Sequence, residues 1–141
     1  MAGGSMAAAG FERAALLTLL IAACASAPAP LTDLSGTNWR VVAVNGRAVP
    51  DQGDYSLNFD RGGRVGGRFG CNAMGGQFGV VGGTLTVRNL TQTLMGCPEP
   101  AATFEHDGAA VLGQPMQMSF TSNERLGLAN AAGTITLDPV P

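Results

Sequence analysis

The stretch Tyr55-Ser56-Leu57-Asn58-Phe59-Asp60-Arg61-Gly62-Gly63-Arg64-Val65-Gly66-Gly67-Arg68-Phe69-Gly70-Cys71-Asn72 decides how the chain folds. Its first part alternates: Tyr55, Leu57 and Phe59 are apolar, while Ser56, Asn58 and Asp60 are polar. Successive side chains leave a strand on opposite faces, so period two marks a strand with one buried and one wet face. In its second part, Val65 and Phe69 stand in a glycine-rich strand running from Gly62 to Gly70. Glycine inside a strand signals a bulge, a sharp bend or close backbone approach. Phe78 and Val80 then close a hairpin with it.

The same period recurs on both sides. Trp39, Val41 and Ala43 form a strand that stops at Asn45-Gly46, a turn dipeptide. Leu85 and Val87 open another after Gly82-Gly83. Met116, Met118 and Phe120 alternate with Gln117, Ser119 and Thr121; Leu126 and Leu128 follow the Ser122-Asn123 turn; Ile135 and Leu137 alternate with Thr134, Thr136 and Asp138. One segment departs from the pattern. Ala101, Phe104, Val111 and Leu112 fall on one helical face, and Glu99, Glu105 and Asp107 fall off it. Pro98 and Pro100 suit a helix start, with acids in the first turns, and Gly113 and Pro115 end it. Gly108 weakens the middle. The expected architecture is α+β but mostly β. It is an antiparallel, partly open (cracked) barrel of about seven or eight strands, with one helix plugging it.

Composition agrees with one small β-rich domain. The chain has 141 residues, 45% of them hydrophobic, and 21 are glycine, too many for a helical bundle. The eight basic residues, all arginine, face ten acids, for a net charge of −2. A nucleic-acid binder needs a cationic surface that releases counterions, so nucleic acid is excluded as a partner. A single histidine rules out a multi-histidine metal site within one chain.

The first thirty or so residues carry an address. Ala14 to Ala23 is an uncharged run of ten residues next to Arg13. As a helix it would rise about 15 Å, half a bilayer core of about 30 Å, so its length suits the apolar region of a signal peptide. It closes with Ile21-Ala22-Ala23-Cys24, which resembles the bacterial lipobox. On that resemblance residues 1–23 are a lipoprotein signal peptide, and Cys24 is lipidated and becomes the mature N-terminus. Residues 24–33 form a Pro/Ala tether, and 34–141 form the domain. Ala25 lacks the aspartate that favours inner-membrane retention. An outer-membrane lipoprotein facing the periplasm is the expectation.

Cys71 and Cys97 remain, 26 positions apart. In an oxidising compartment an intramolecular disulfide is the default, worth about 3.5 kcal/mol by loop-closure entropy. Free buried thiols and a redox pair are the alternatives; redox dithiols usually sit in Cys-x-x-Cys, which is absent. Asn72 suits a backbone cap or a left-handed turn, with ligand contact as the alternative. Arg61, Arg64 and Arg68 cluster on the glycine-rich hairpin, with Arg64 and Arg68 on one strand face. They read as a solvated face paired with acids, or as a site for an acidic partner or lipid phosphate. Met116 and Met118 read as core, or as the lining of an adaptable apolar pocket. His106 between Glu105 and Asp107 reads as a solvated histidine. These three neighbours point different ways around a helix and cannot converge on a metal. The glycine run has no helix start behind it to cradle phosphate, and no Gly-x-Ser-x-Gly elbow exists.

Taken together, several elements resemble the META domain, the domain of HslJ-like bacterial lipoproteins, over about Leu34 to Leu137. They are Trp39 with Asn45-Gly46, Leu57-Asn58-Phe59-Asp60, Gly62 and Arg64 leading to Gly70-Cys71-Asn72, Thr93-Leu94-Met95-Gly96-Cys97, Glu105, and Leu126-Gly127-Leu128. Gly-Cys-Asn and Thr-x-x-Met-x-Cys are the most specific of them. The resemblance implies a small β-rich domain with a helix, similar to the cracked barrel of secretin pilot lipoproteins. It also implies envelope association, with links to heat-shock response, novobiocin resistance and, in some members, motility or virulence. It implies no established enzyme activity. Ala73-Met74 stand where the family often has an aromatic after Gly-Cys-Asn.

The expected function is therefore that of a monomeric, membrane-anchored, non-catalytic envelope protein. It would bind a protein or apolar ligand through strand edges or the barrel mouth, in envelope or heat stress or antibiotic tolerance. It would need no cofactor and no metal. A thiol-dependent or redox enzyme using Cys71 and Cys97, and a periplasmic carrier with an internal acyl pocket, are the rival readings.

Overall fold

The computed structural model describes residues 3–4 and 33–141. Apart from Gly3 and Gly4, the signal segment 1–23, Cys24 and the tether through residue 32 lie outside the described residues. Nine strands and one helix follow in the order β1 (Thr37–Val44), β2 (Arg47–Ala48), β3 (Tyr55–Phe59), β4 (Arg64–Phe69), β5 (Ala73–Val81), β6 (Thr84–Gln92), α1 (Ala101–Leu112), β7 (Met116–Phe120), β8 (Leu126–Asn130) and β9 (Gly133–Val140). All pairings are antiparallel, each strand from β3 onward lies beside its sequence neighbour, and β9 returns to pair with β1. The ring of eight strands is thereby closed, and β2 is an extra two-residue strip on β1. The seam between β6 and β7 is the thinnest, with only Thr84↔Gln117 and Leu85↔Met116 in register. What remains of the expected crack is there. Closure removes most of the free strand edges that the sequence reading offered as a contact surface.

The inward rows fill the interior. Leu57, Phe59, Phe69, Leu85, Met116, Leu126, Leu128, Ile135 and Leu137 are all fully buried, and Phe59 meets Phe78 edge-on at 4.9 Å. The alternation slips once on β1, where a register shift between Val41 and Ala43 lets both Val41 and Val44 point inward. A second shift falls between Gly75 and Gln77, where a Cβ on Gly76 would lie 2.7 Å from the Arg88 carbonyl. Gly67 sits at an inward position paired with Leu57 and Met74, and a Cβ there would collide with the Ser56 carbonyl. The glycines of the hairpin thus do what the strand pattern implied: they let neighbouring backbone close in.

The two ends of the barrel are shut differently. At one end α1 lies across the mouth. Phe104 packs edge-on to Tyr55 at 5.8 Å, and Val111 and Leu112 are buried. Gly108 has a packing reason: a Cβ there would sit 2.5 Å from the Phe69 ring. The helix starts at Ala101 after Pro100, so no acid lies in its first turn; Glu99 precedes it, and its Oε2 accepts from the Thr103 hydroxyl at 2.8 Å. Asn130 Nδ2 donates to the Val111 carbonyl at 2.8 Å and ties down the far end. At the opposite end Leu34 is fully buried, and the Gly36 N–H donates to the Phe59 carbonyl at 2.8 Å, so the chain enters the barrel there.

Candidate functional site

The polar chemistry gathers at the α1 end, where β4 turns into β5. Gly70 has φ +96, and a Cβ there would strike the Tyr55 hydroxyl, so only glycine passes between β4 and Cys71. Cys71 is joined to Cys97, with Cα atoms 6.0 Å apart. The next residue, Asn72, is only 2% exposed. Its Oδ1 accepts from the Met95 N–H at 2.7 Å and the Thr93 hydroxyl at 2.8 Å. Its Nδ2 donates to Glu105 Oε1 at 2.7 Å and the Met95 carbonyl at 3.1 Å, and lies 3.2 Å from Cys97 Sγ. Its backbone N–H donates to Glu105 Oε2 at 2.8 Å. One amide side chain therefore fastens the 93–97 loop, α1 and the disulfide to the barrel.

Glu105 is the residue that helical periodicity misplaced. It was expected on the wet side of the helix and is 7% exposed. A buried carboxylate needs donors, and Asn72 supplies two while Gln92 Nε2 adds a longer one at 3.4 Å. The sequence did carry a signal: Glu105 is among the residues through which the chain resembles its family. Cys71 Sγ, Cys97 Sγ and a Glu105 oxygen lie within 4.8 Å of one another, but in the disulfide neither sulfur is a thiolate, the form that binds metal. His106 is exposed on the helix.

The other residues singled out from sequence lie elsewhere. Arg64 and Arg68 share the outer face of β4, as expected. Arg68 is paired, with Nε 3.7 Å from Asp54 and Nη1 donating to the Cys71 carbonyl at 2.8 Å. Arg64 makes no ion pair among the described residues. Met116 is fully buried in the barrel and Met118 partly so, and they belong to the core rather than to the polar cluster.

A second feature lies on the outside of β1 and β3, where the segment after β2 folds back. It makes a groove of about 680 Å³, lined by Val42, Val49, Pro50 and Val140 among polar neighbours that include Arg40 and Asp54. Beside it, burial holds the Tyr55 phenol above its usual range. Sequence reasoning missed this groove, because β2 is two residues long and carries no period.

A closed eight-strand antiparallel barrel, plugged at one mouth by a single helix and clipped there by a disulfide, defines a small β-barrel domain of recognisable type. The META domain family model matches residues 32–138, and the chain belongs to that family. Two solved structures are similar. One is an NMR structure of a protein from Burkholderia xenovorans, 26% identical, with a TM-score of 0.64 over 76% of this chain and 83% of that one. The other is an NMR structure of a protein 27% identical, with a TM-score of 0.65 over 74% of this chain and 90% of that one. No curated protein matches the chain.

Proposed function

We propose that this META-domain protein is anchored through a lipid on Cys24 in the outer membrane, faces the periplasm, and acts as a monomer without catalysis by binding a partner protein in envelope stress. The observation that carries the binding role is the outer groove at β1 and β3. Its apolar residues Val42, Val49 and Pro50 are half-buried and Val140 is 47% exposed, which leaves apolar surface open to a partner in this recess. Support for a non-catalytic role comes from how the reactive side chains are engaged. Cys71 and Cys97 are joined to each other, and Glu105 is held by Asn72. The interior is packed with side chains, which speaks against an internal acyl pocket.

Two measurements test this reading. Metabolic labelling with a fatty-acid analogue should mark the wild type and not Cys24→Ser; equal labelling of both rejects the anchor. A photo-crosslinking residue at Val49 should capture a discrete envelope protein in intact cells, and Val140→Asp should abolish the adduct. An adduct insensitive to Val140→Asp rejects the groove.

A further inference from the structure

Seven arginines lie among the described residues, and they divide sharply. Arg40, Arg47, Arg68 and Arg125 each have a carboxylate within 4.0 Å. Arg61, Arg64 and Arg88 have none among the described residues, and all three are exposed. These three lie together. Arg64 pairs across β4–β5 with Gln77, and Gln77 pairs across β5–β6 with Arg88. Direct cross-strand partners share a face, so Arg64 and Arg88 stand on one outer row, their backbones about 10 Å apart at two strand spacings. Arg61 sits in the β3–β4 turn just before that row, and its side chain lies over Gly36.

The location of this trio matters. Gly36 is the third residue after Asp33, where the continuous described chain begins, so Arg61 covers the point at which the chain enters the barrel. β5 runs past Gln77 in the same direction to the β5–β6 hairpin tip, where Val81 is 83% exposed. The Leu34 end of the barrel therefore presents three cations with no ion-pair partner among the described residues, on the β4–β6 side that leads to an exposed apolar tip. The nearest carboxylate in the turn, Asp60, directs Oδ1 at the N–H groups of Gly62 and Arg64. Of the other acids, Asp33 precedes Leu34, Glu124 lies in the β7–β8 turn and Asp138 pairs with Arg40 and Arg125, while Asp51, Asp54, Glu99, Glu105 and Asp107 lie in or next to the elements around α1. A recess of about 550 Å³ adjoins Arg61 and Arg64, floored by Gly66 and Gly75 and walled by Asn38, Asn58, Asp60 and the two arginines.

We infer that the Leu34 end of the barrel is a docking surface for an anionic phospholipid bilayer, with Arg61, Arg64 and Arg88 meeting lipid phosphates and Val81 entering the interface. Guanidinium groups bind phosphate oxygens bidentately, and a cationic residue near an anionic leaflet contributes about 1 kcal/mol. The surface would orient the domain with α1 and the disulfide pointing away from the membrane. This inference rests on the anchor reading only for the side from which the bilayer approaches. Nine residues, 24–32, reach about 30 Å at most, which leaves the Leu34 end within touching distance.

The test is flotation of the full chain with vesicles of neutral phosphatidylcholine, and with vesicles containing a third phosphatidylglycerol, in low salt. Lipid attachment raises binding to both vesicle types alike, so the ratio between them isolates the arginine surface, and failure of the anchor leaves that ratio unchanged. The wild type should prefer the anionic vesicles at least tenfold, and 0.5 M salt should erase the preference. Arg61→Gln/Arg64→Gln/Arg88→Gln should lose it. Arg40→Gln/Arg47→Gln/Arg125→Gln, which removes the same charge from paired positions, should keep most of it. Equal losses in the two triple variants would mean that net charge alone attracts the chain, and would overturn the assignment. A wild type with no anionic preference would overturn it as well.

Discussion

The two mouths of the barrel solve one problem with opposite chemistry. At the Leu34 end a single aliphatic side chain and a pair of backbone hydrogen bonds shut the interior. At the α1 end a helix, a disulfide, a buried amide and a buried carboxylate are knotted together through Asn72. An apolar plug contributes roughly in proportion to the area it removes from water, and cutting back one member leaves no buried polar partner unsatisfied. A buried polar knot is different: each member satisfies another, and removing one leaves its partner buried and unpaired. The lesson is that a polar end fails as a unit while an apolar end fails residue by residue.

The strongest way to break the contrast is at the disulfide. Cys71→Ser/Cys97→Ser should cost about 3.5 kcal/mol of unfolding free energy, read from denaturant melts. Asn72→Ala should cost about 3 kcal/mol because it strips the Nδ2 donor from buried Glu105 and the Oδ1 acceptor from the Met95 N–H and the Thr93 hydroxyl. Combined with the cysteine variant it should cost clearly less than the sum, by about 1 kcal/mol or more. Strict additivity at this end would refute the knot. Next in size, Leu34→Ala should cost about 2.5 kcal/mol, and it should add to the cysteine variant without coupling, because the two lie at opposite mouths. The smallest effect is electrostatic. The Arg125 hydrogen bond beside Asp138, helped by Arg40, holds the Asp138 carboxyl below the usual carboxylate range. A lowered folded-state value gives stability that is present above the ordinary carboxylate range and is lost as pH falls through the folded value. Arg125→Gln should therefore lower stability slightly at pH 7 and flatten the acid limb below about pH 4, so that the difference from wild type shrinks as pH falls. An unchanged acid limb would show the pair to be inert.

Much of the fold is legible because a half-buried strand writes its two faces into alternate residues. Tyr55–Phe59, Met116–Phe120 and Gly133–Val140 show this plainly. The helix was readable from Phe104, Val111 and Leu112, and its end from Gly113. Closure was not readable, because the β1–β9 pairing joins residues nearly a hundred positions apart and leaves no local mark; Arg40 faces Asp138. Of the polar cluster, the joined cysteines followed from compartment and count, and Asn72 from its neighbours. Glu105 was hidden for a physical reason. A carboxylate on a helix reads as solvent-facing unless its donors are known, and those donors stand 33 positions away. The paired and unpaired arginines are likewise a property of register, not of sequence.

The β1–β9 seam has one more consequence. Because Asn38 lies opposite Val140, the first and last barrel strands are side by side. A few added residues between the end of β9 and the start of β1 would stitch them into one continuous hairpin, and the molecule could be reopened at the Gly82-Gly83 bend as a circular permutant. A fluorescent reporter fused after β9 would hang beside the tether rather than at the far pole, so energy transfer to a dye in the bilayer would measure how upright the domain stands.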